Sequence, residues 1–258
     1  MLILVRSMVL VVGLVALVGC GPEGSRQEEE AYLRTIMSGT LIPYSHLDVP
    51  SRDNVKIVLE KAEASLALRL FPGQPKLHGG IRAEVSVDFP FSEHDSISYS
   101  WRFKFDETFV SDTPENRWWV IGQWHDQPDA NQSETWENFR SHSPPVSLGI
   151  GEVDGTLALA LTHGPTRDGL EQISTEPVPI ERGVWYKIET RIHWSQISNG
   201  RVEVLLNDFP EASLIGSGPN MNNAYRHYLK VGMYRHPEIE SENQIYIDDL
   251  SVSEWNGG

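Results

Sequence analysis

Ile97-Ser98-Tyr99-Ser100-Trp101-Arg102-Phe103-Lys104-Phe105 alternates without a break, with large apolar side chains at odd positions and Ser, Arg or Lys at even ones. Successive side chains of a strand point to opposite faces, so the stretch predicts a β-strand with one dry and one wet face, as in an antiparallel sheet packed on a single side. The same period of two continues outward from it. Val146, Leu148 and Ile150 alternate with Ser147 and Gly149, Asp154-Gly155 gives a tight-turn signal, and Leu157, Leu159 and Leu161 resume the pattern, which predicts a hairpin. Val184 to Trp194 alternates again, and Asn199-Gly200 turns the chain into Val202, Val204 and Leu206 for a second hairpin. Ile245 and Ile247 predict a closing strand that ends near Val252. Helical periodicity is almost absent; only residues 51–66 have room for a short helix, and Asp129 to Ser141 reads as an irregular loop holding Trp136 and Phe139. Many short strands with closely spaced turns predict an all-β fold, an antiparallel β-sandwich of jelly-roll (concanavalin-like) type.

The N-terminal end sets the expected compartment. Met1-Leu2-Ile3-Leu4-Val5-Arg6 opens an apolar run that reaches Val18 and then Gly19-Cys20-Gly21. The run is short for a membrane span of about 20 residues and has the form of an export signal. Leu17-Val18-Gly19-Cys20 resembles a bacterial lipobox, and Cys20 is the only cysteine in the chain. Residues 1–20 are therefore read as a lipoprotein signal peptide with lipidation at Cys20, and Gly21 points to outer-membrane sorting. Residues 21–40, with Gln27-Glu28-Glu29-Glu30, read as a flexible tether, because so polar a stretch buries little surface. No composition break divides residues 41–258, which predicts one domain. The expectation is an exported, monomeric bacterial lipoprotein held to a membrane by its lipid.

A formal net charge of −15 disfavours nucleic acid and anionic membrane surfaces as partners, since both bind through excess Lys and Arg. An acidic polysaccharide remains compatible, provided the basic side chains gather in one groove. No cofactor is called for by the residues; a structural Ca²⁺ is left open, because scattered Asp and carbonyl ligands leave no spacing to read.

Several stretches place chemical side chains on a strand face. In Tyr228-Leu229-Lys230-Val231-Gly232-Met233-Tyr234-Arg235, the residues Lys230, Gly232 and Tyr234 point one way and Val231 and Met233 the other. Lys230 and Tyr234 would stand roughly 13 Å apart with a bare residue between them, a slot for a sugar ring or two. Arg235 is close in sequence but belongs to the opposite face of a regular strand. His78, Gly80, Arg82 and Glu84 share a face in the same manner, and so do Gln123 and His125, with Trp124 opposite them. His163-Gly164-Pro165-Thr166 and Asn220-Met221-Asn222-Asn223 are expected as loops, suited to turn chemistry more than to catalysis and placed to line the same cleft. Trp118, Trp119, Trp124 and Trp136 are candidates for stacking on sugars.

Arg82-Ala83-Glu84, Gln123-Trp124-His125, Pro144-Pro145 before an alternating strand, His163-Gly164-Pro165-Thr166 and Lys230-Val231-Gly232-Met233-Tyr234-Arg235 occur here in that order. The ordered set, over roughly residues 75–252, resembles the jelly-roll polysaccharide lyases that include heparin lyase I and the glucuronan lyases. The resemblance implies cleavage of a uronate-containing polysaccharide, glucuronan-, alginate- or heparin-like, by β-elimination. It implies a Tyr and a His that move the protons, a Lys beside the Tyr, and an amide that meets the uronate carboxylate. Those roles fall on Tyr234, on His125 or His78, on Lys230 and on Gln123, with Arg82, His78, Arg235, Trp124, His163 and Asn222 as substrate-binding candidates. The residue types also suit the reaction by themselves. β-Elimination needs the carboxylate's charge countered, a base for the C5 proton and an acid for the departing O4. Two rivals stand beside this reading. A noncatalytic carbohydrate-binding sandwich would use the same fold and tryptophans. A glycoside hydrolase needs two carboxylates flanking the bond, whereas Asp248-Asp249 would face opposite ways in a strand.

Overall fold

A computed structural model describes residues 22–140, 142–166, 171–209 and 211–256. The segment read as a signal peptide, with Cys20, lies outside the described residues. Helix α1 (Pro22–Ile36) comes first, followed by β1 (Ser45–Asp48), β2 (Val55–Glu60), β3 (Glu63–Leu70), β4 (Ile81–Val87) and β5 (Ser96–Phe105). β6 (Trp119–His125), β7 (Val146–Val153), β8 (Thr156–His163), β9 (Ile173–Ser174) and β10 (Val178–Ile180) follow. The chain closes with β11 (Tyr186–His193), β12 (Arg201–Leu206), β13 (Leu214–Ser217), β14 (Tyr228–Arg235) and β15 (Asn243–Glu254). One sheet runs β1-β4-β14-β6-β7-β8-β10, with β9 paired to β8; the other runs β13-β12-β11-β5-β15-β3-β2. Sequence neighbours are often separated in the sheets, so residues far apart along the chain meet on one face.

The alternation of Ile97 to Phe105 does what the pattern predicts: Ile97, Tyr99, Trp101, Phe103 and Phe105 of β5 are all buried between the sheets. Trp124 of β6 comes down from the other sheet to meet Tyr99 and Trp101, with ring centroids 5.3 and 6.1 Å apart. Each such ring contributes both area burial and an edge-on contact, so this aromatic seam ties the layers together. The β7–β8 hairpin turns at Asp154 and Gly155, both at positive φ (48° and 79°), the conformation that an Asp-Gly pair favours. β11 and β12 pair as the second hairpin, and β15 closes the second sheet.

Two segments differ from the sequence reading. Residues 51–66 hold no α-helix but a single 3₁₀ turn at Arg52–Asn54 and the β2–β3 hairpin, because Leu66, Leu68 and Leu70 carry the period of a buried strand. The stretch read as a tether instead forms α1, with Pro22 in its first turn, where a missing N–H is tolerated. Its Leu33 and Ile36, with Met37 just beyond, are buried in the core. Its acidic run is also used: Glu28 pairs with Arg52 at 2.6 Å, and Glu29 accepts a 2.7 Å hydrogen bond from the Leu47 N–H. The second contact occupies a backbone donor of β1, a strand at the edge of its sheet. Apolar side chains on one face and carboxylates aimed at fixed partners outweigh the polar composition. Among the described residues no helix is long and apolar enough to cross a membrane.

Candidate active site

The middle of the first sheet brings the chemical strands together. β14 lies between β4 and β6, and β1 flanks β4. Register places Tyr228 opposite His125, and Lys230 between Gln123 and Ser86. It also places Gly232 opposite Glu84, and Tyr234 opposite Arg82. On β1, His46 stands opposite Ser86 and Asp48 opposite Glu84. A cavity of about 840 Å³ opens over this face, lined among others by His46, Asp48, His78, Arg82, His125, Tyr228 and Lys230. That volume lies in the range of ligand sites rather than of packing voids.

Asp48 is the hub of one half. Its Oδ2 accepts hydrogen bonds from Lys230 Nζ and Ser86 Oγ, both at 2.6 Å. Its Oδ1 lies 3.6 Å from His46 Nε2 and 3.5 Å from His78 Nε2. Burial pushes the Asp48 carboxyl up, but the contacts to His46, Lys230 and Ser86 outweigh it and hold the group far below the usual carboxylate range. The same contact to Asp48 raises His46 above the ordinary histidine value, against the opposing effect of burial.

Glu84 is the second hub. It accepts from Gln123 Nε2 at 2.5 Å and from Arg82 Nη1 at 3.2 Å, and all three side chains are buried. Gln123 is thereby engaged by a protein carboxylate while its Oε1, also buried, has no hydrogen-bond partner. The Arg82 guanidinium lies over the Tyr234 ring at 4.2 Å, and Trp118 meets that ring edge-on at 4.7 Å. Gly80 makes this packing possible, since a Cβ there would sit 2.3 Å from Tyr234 Cε2.

His125 lines the other end of the cavity. It stacks on Tyr228 at 6.0 Å, six residues before Tyr234 on the same strand. Burial first, then the carboxylates of Asp48 and Glu84, push the Tyr228 phenol up, which keeps it protonated. Trp136, on the loop after β6, is exposed at the cavity and meets Tyr228 edge-on at 6.4 Å.

The structure thus gathers Arg82, His78, Gln123, His125, Lys230 and Tyr234 on one face and removes four candidates from it. Trp124 is fully buried in the inter-sheet seam, as its strand parity requires. Arg235 is buried on the other side of β14, donating to Ser241 O and Asn243 Oδ1 beside Trp119; burial lowers its pKa to about 10. His163 is buried between the sheets, where a Cβ on Gly216 of the opposite sheet would come within 2.5 Å of its ring. Asn222 staples loops, accepting from Thr166 N at 2.8 Å and donating to Ser143 O at 3.1 Å. Trp119 is buried as well, so of the four candidate tryptophans Trp118 and Trp136 are those left to face a sugar.

The slot reading of Gly232 also changes. Its φ is +148°, and a Cβ there would lie 2.4 Å from Ala83 O, 2.8 Å from Glu84 Cα and 2.9 Å from Leu68 Cδ1. The glycine admits the neighbouring strand at a bulge, where the β14–β6 register shifts between Val231 and Tyr234, rather than making room for ligand. Asp48, His46, Ser86 and Tyr228 are site residues that the sequence reading did not single out. Tyr228 shares the face of Lys230 by strand parity and was legible; Asp48 and His46 sit on a four-residue strand with no motif. Among the described residues no group of three His, Cys, Asp or Glu is placed to hold a metal ion.

The family model described as polysaccharide lyase matches residues 37–251. No curated protein sequence matches the chain. Among solved structures, the endo-β-1,4-glucuronan lyase of the fungus Trichoderma reesei is similar at 15% identity, over 77% of this chain and 85% of that one, with a TM-score of 0.57. An alginate lyase of Zobellia galactanivorans is similar at 15% identity, over 79% and 82% of the two chains, with a TM-score of 0.52. A substituted alginate lyase in complex with an alginate tetrasaccharide is similar at 13% identity, over 80% and 86%, with a TM-score of 0.54. At these identities the likeness establishes a shared fold.

Proposed function

The chain belongs to the polysaccharide lyase family, and from that premise we propose that it cleaves a uronate polymer, glucuronan- or alginate-like, by β-elimination at the cavity over β4, β14 and β6. The observation that carries the substrate class is the gathering of Arg82, Lys230, His46, His78 and His125, interleaved with Asp48, Asp88 and Asp126, at one cavity of a chain whose net charge is −15. Such a lining offers cationic and imidazole donors to an acidic chain at one place on an acidic protein. The glucuronan and alginate lyases that share the fold act on polymers of this kind by their names.

In this reading Lys230 and Arg82 counter the charge of the uronate carboxylate, which makes the C5 proton more acidic, while the buried Gln123 amide holds Glu84, the carboxylate that Arg82 also meets. His125, neutral, takes that proton, and the C5 electron pair forms the C4–C5 double bond as the bond to O4 breaks. Tyr234 gives its phenolic proton to O4. Register sets Tyr234 six residues along β14 from Tyr228, the partner of His125, or about 20 Å of strand, so the two share one linkage only if both side chains leave their present packing and reach inward over Lys230. A second reading of the acid rests on one observation: Tyr228 already stacks on His125 and is held protonated. A hydrolase reading has less support, because the carboxylates at this site, Asp48, Glu84, Asp88 and Asp126, are each tied to a Lys, Arg or His side chain.

The test is to offer glucuronan, alginate, heparin and pectate and to follow the ultraviolet absorbance of the unsaturated uronate. Tyr234→Phe should stay folded, bind polymer as before and lose a factor of about 10² to 10⁴ in rate, the usual share of a positioned acid or base. A wild type that releases reducing ends without that absorbance, or binds without cutting, overturns the lyase mechanism. Loss confined to Tyr228→Phe transfers the role to that phenol. We further propose that Cys20 carries the lipid of an exported lipoprotein, a reading supported by the sequence Leu17-Val18-Gly19-Cys20.

A further inference from the structure

We propose that Asp126 is the positioning residue for His125, fixing the imidazole with its proton on Nδ1 so that Nε2 is left as the base. The proposal rests on the reading of His125 as the base and extends it to a neighbour with a different function, since Asp126 is enclosed and acts through the ring beside it.

Asp126 follows His125 at the end of β6 and is 1% exposed. Its Oδ2 is held by His142 Nδ1 at 2.7 Å. Its Oδ1 is buried with no hydrogen-bond partner, and His125 Nδ1 stands 3.4 Å from it. A buried carboxylate oxygen without a donor is costly, and here the His125 ring supplies one if it turns its N–H toward Oδ1 and closes by about half an ångström. Hydrogen bonds of catalytic groups are commonly long in unliganded sites and tighten when substrate is bound. An imidazole that donates from Nδ1 keeps its lone pair on Nε2, so the contact selects the tautomer that the elimination requires.

The surrounding groups favour this division. Burial pushes the Asp126 carboxyl up, but the nearness of His125 and the hydrogen bond with His142 outweigh it, so the group stays ionised. His227, also near, does not compete as a cation: full burial lowers its pKa to about 4, its Nδ1 faces Tyr225 O at 2.9 Å, and its Nε2 accepts from Asn222 N at 3.2 Å. Tyr228, from β14, faces the His125 ring and is uncharged. An ionised Asp126 therefore also stabilises the imidazolium that forms when His125 accepts the C5 proton.

A plainer role for Asp126 is to pin the loop that carries His142, and the experiment separates the two. Nitrogen-15 NMR of the histidine rings in the whole protein should show His125 protonated on Nδ1, and Asp126→Asn should shift it toward the Nε2–H form. In the same variant kcat should fall about 10- to 100-fold, as for other orienting partners, with KM little changed. The acid limb of kcat/KM should move to lower pH, because the imidazolium has lost its carboxylate. His142→Gln should leave both the His125 tautomer and that limb in place. A wild-type His125 protonated on Nε2, or an Asp126→Asn variant whose limb does not move, overturns the proposal; so does a His142→Gln variant that reproduces every effect of Asp126→Asn. Full activity in His125→Gln would sink the base assignment instead, and the tautomer measurement tells this failure apart because it needs no turnover.

Discussion

Asp48→Ala is expected to destabilise the fold more than its place on a four-residue edge strand implies. The substitution leaves Lys230 Nζ, on a side chain 5% exposed, without the carboxylate that lies 2.6 Å away, and removes the acceptor of Ser86 Oγ at the same distance. Removing one partner of a buried ion pair typically costs about 3–5 kcal/mol, because an uncompensated charge remains. In a domain of this size about 1 kcal/mol shifts the melting temperature by about 2–4 °C, so thermal unfolding at pH 7 should show a fall of roughly 6–20 °C. The double variant Asp48→Ala/Lys230→Met should recover most of that loss, since replacing both members of such a pair is often close to neutral. The pH dependence follows from the sign of the shifts. The Asp48 carboxyl is depressed in the folded protein, so its contribution is present above the unfolded value of about 3.9 and is lost as pH falls through the folded one. His46 is raised, so its share is full below about 6.5 and is lost as pH climbs through its folded value. The gap between wild type and Asp48→Ala should therefore be widest between about pH 4 and 6.5 and close toward stronger acid. A single variant within 2 °C of wild type at pH 7, or a double variant no more stable than the single one, would refute the assignment of Asp48 as an ion-pair hub.

Gly232→Ala should lower the melting temperature by several degrees, because its Cβ would press on Ala83 O at 2.4 Å; a variant as stable as wild type would show that the strands part easily there. Cys20→Ser should move the protein from the membrane fraction to the soluble one, and unchanged fractionation would count against the lipid anchor.

The sandwich was legible because strand parity is a local property. Ile97 to Phe105 needs no partner to declare its dry face, and Asp154-Gly155 declares its turn in two residues. The same parity placed Gln123 with His125 and Lys230 with Tyr234, and it set Trp124 and Arg235 on the opposite face, where they are buried. What parity does not contain is strand order. That β4 and β6 flank β14, and that β1 delivers Asp48 to Lys230 across 182 positions, follows from long-range packing. Gly232 shows the same limit: its bare position reads as space until the neighbouring strand is seen to fill it. His163 and Asn222 read as cleft-lining polar residues, but one fills the gap over Gly216 and the other fastens loops. α1 escaped notice because its apolar side chains cluster in its last turn, behind a run of carboxylates of which Glu28 and Glu29 reach partners more than ten positions away.

The docked helix also sets how far an anchored enzyme could roam. A free chain of 20 residues has a typical end-to-end reach of about 25 Å, enough for the domain to swing and sample orientations above a bilayer. With α1 running from Pro22 to Ile36 and seated on the core through Leu33 and Ile36, most of those residues would not be free to extend. Such a protein would ride close to the lipid surface with one side held toward it. Its polymer would have to come to the groove by diffusion or threading, because the groove could not be carried out to the polymer.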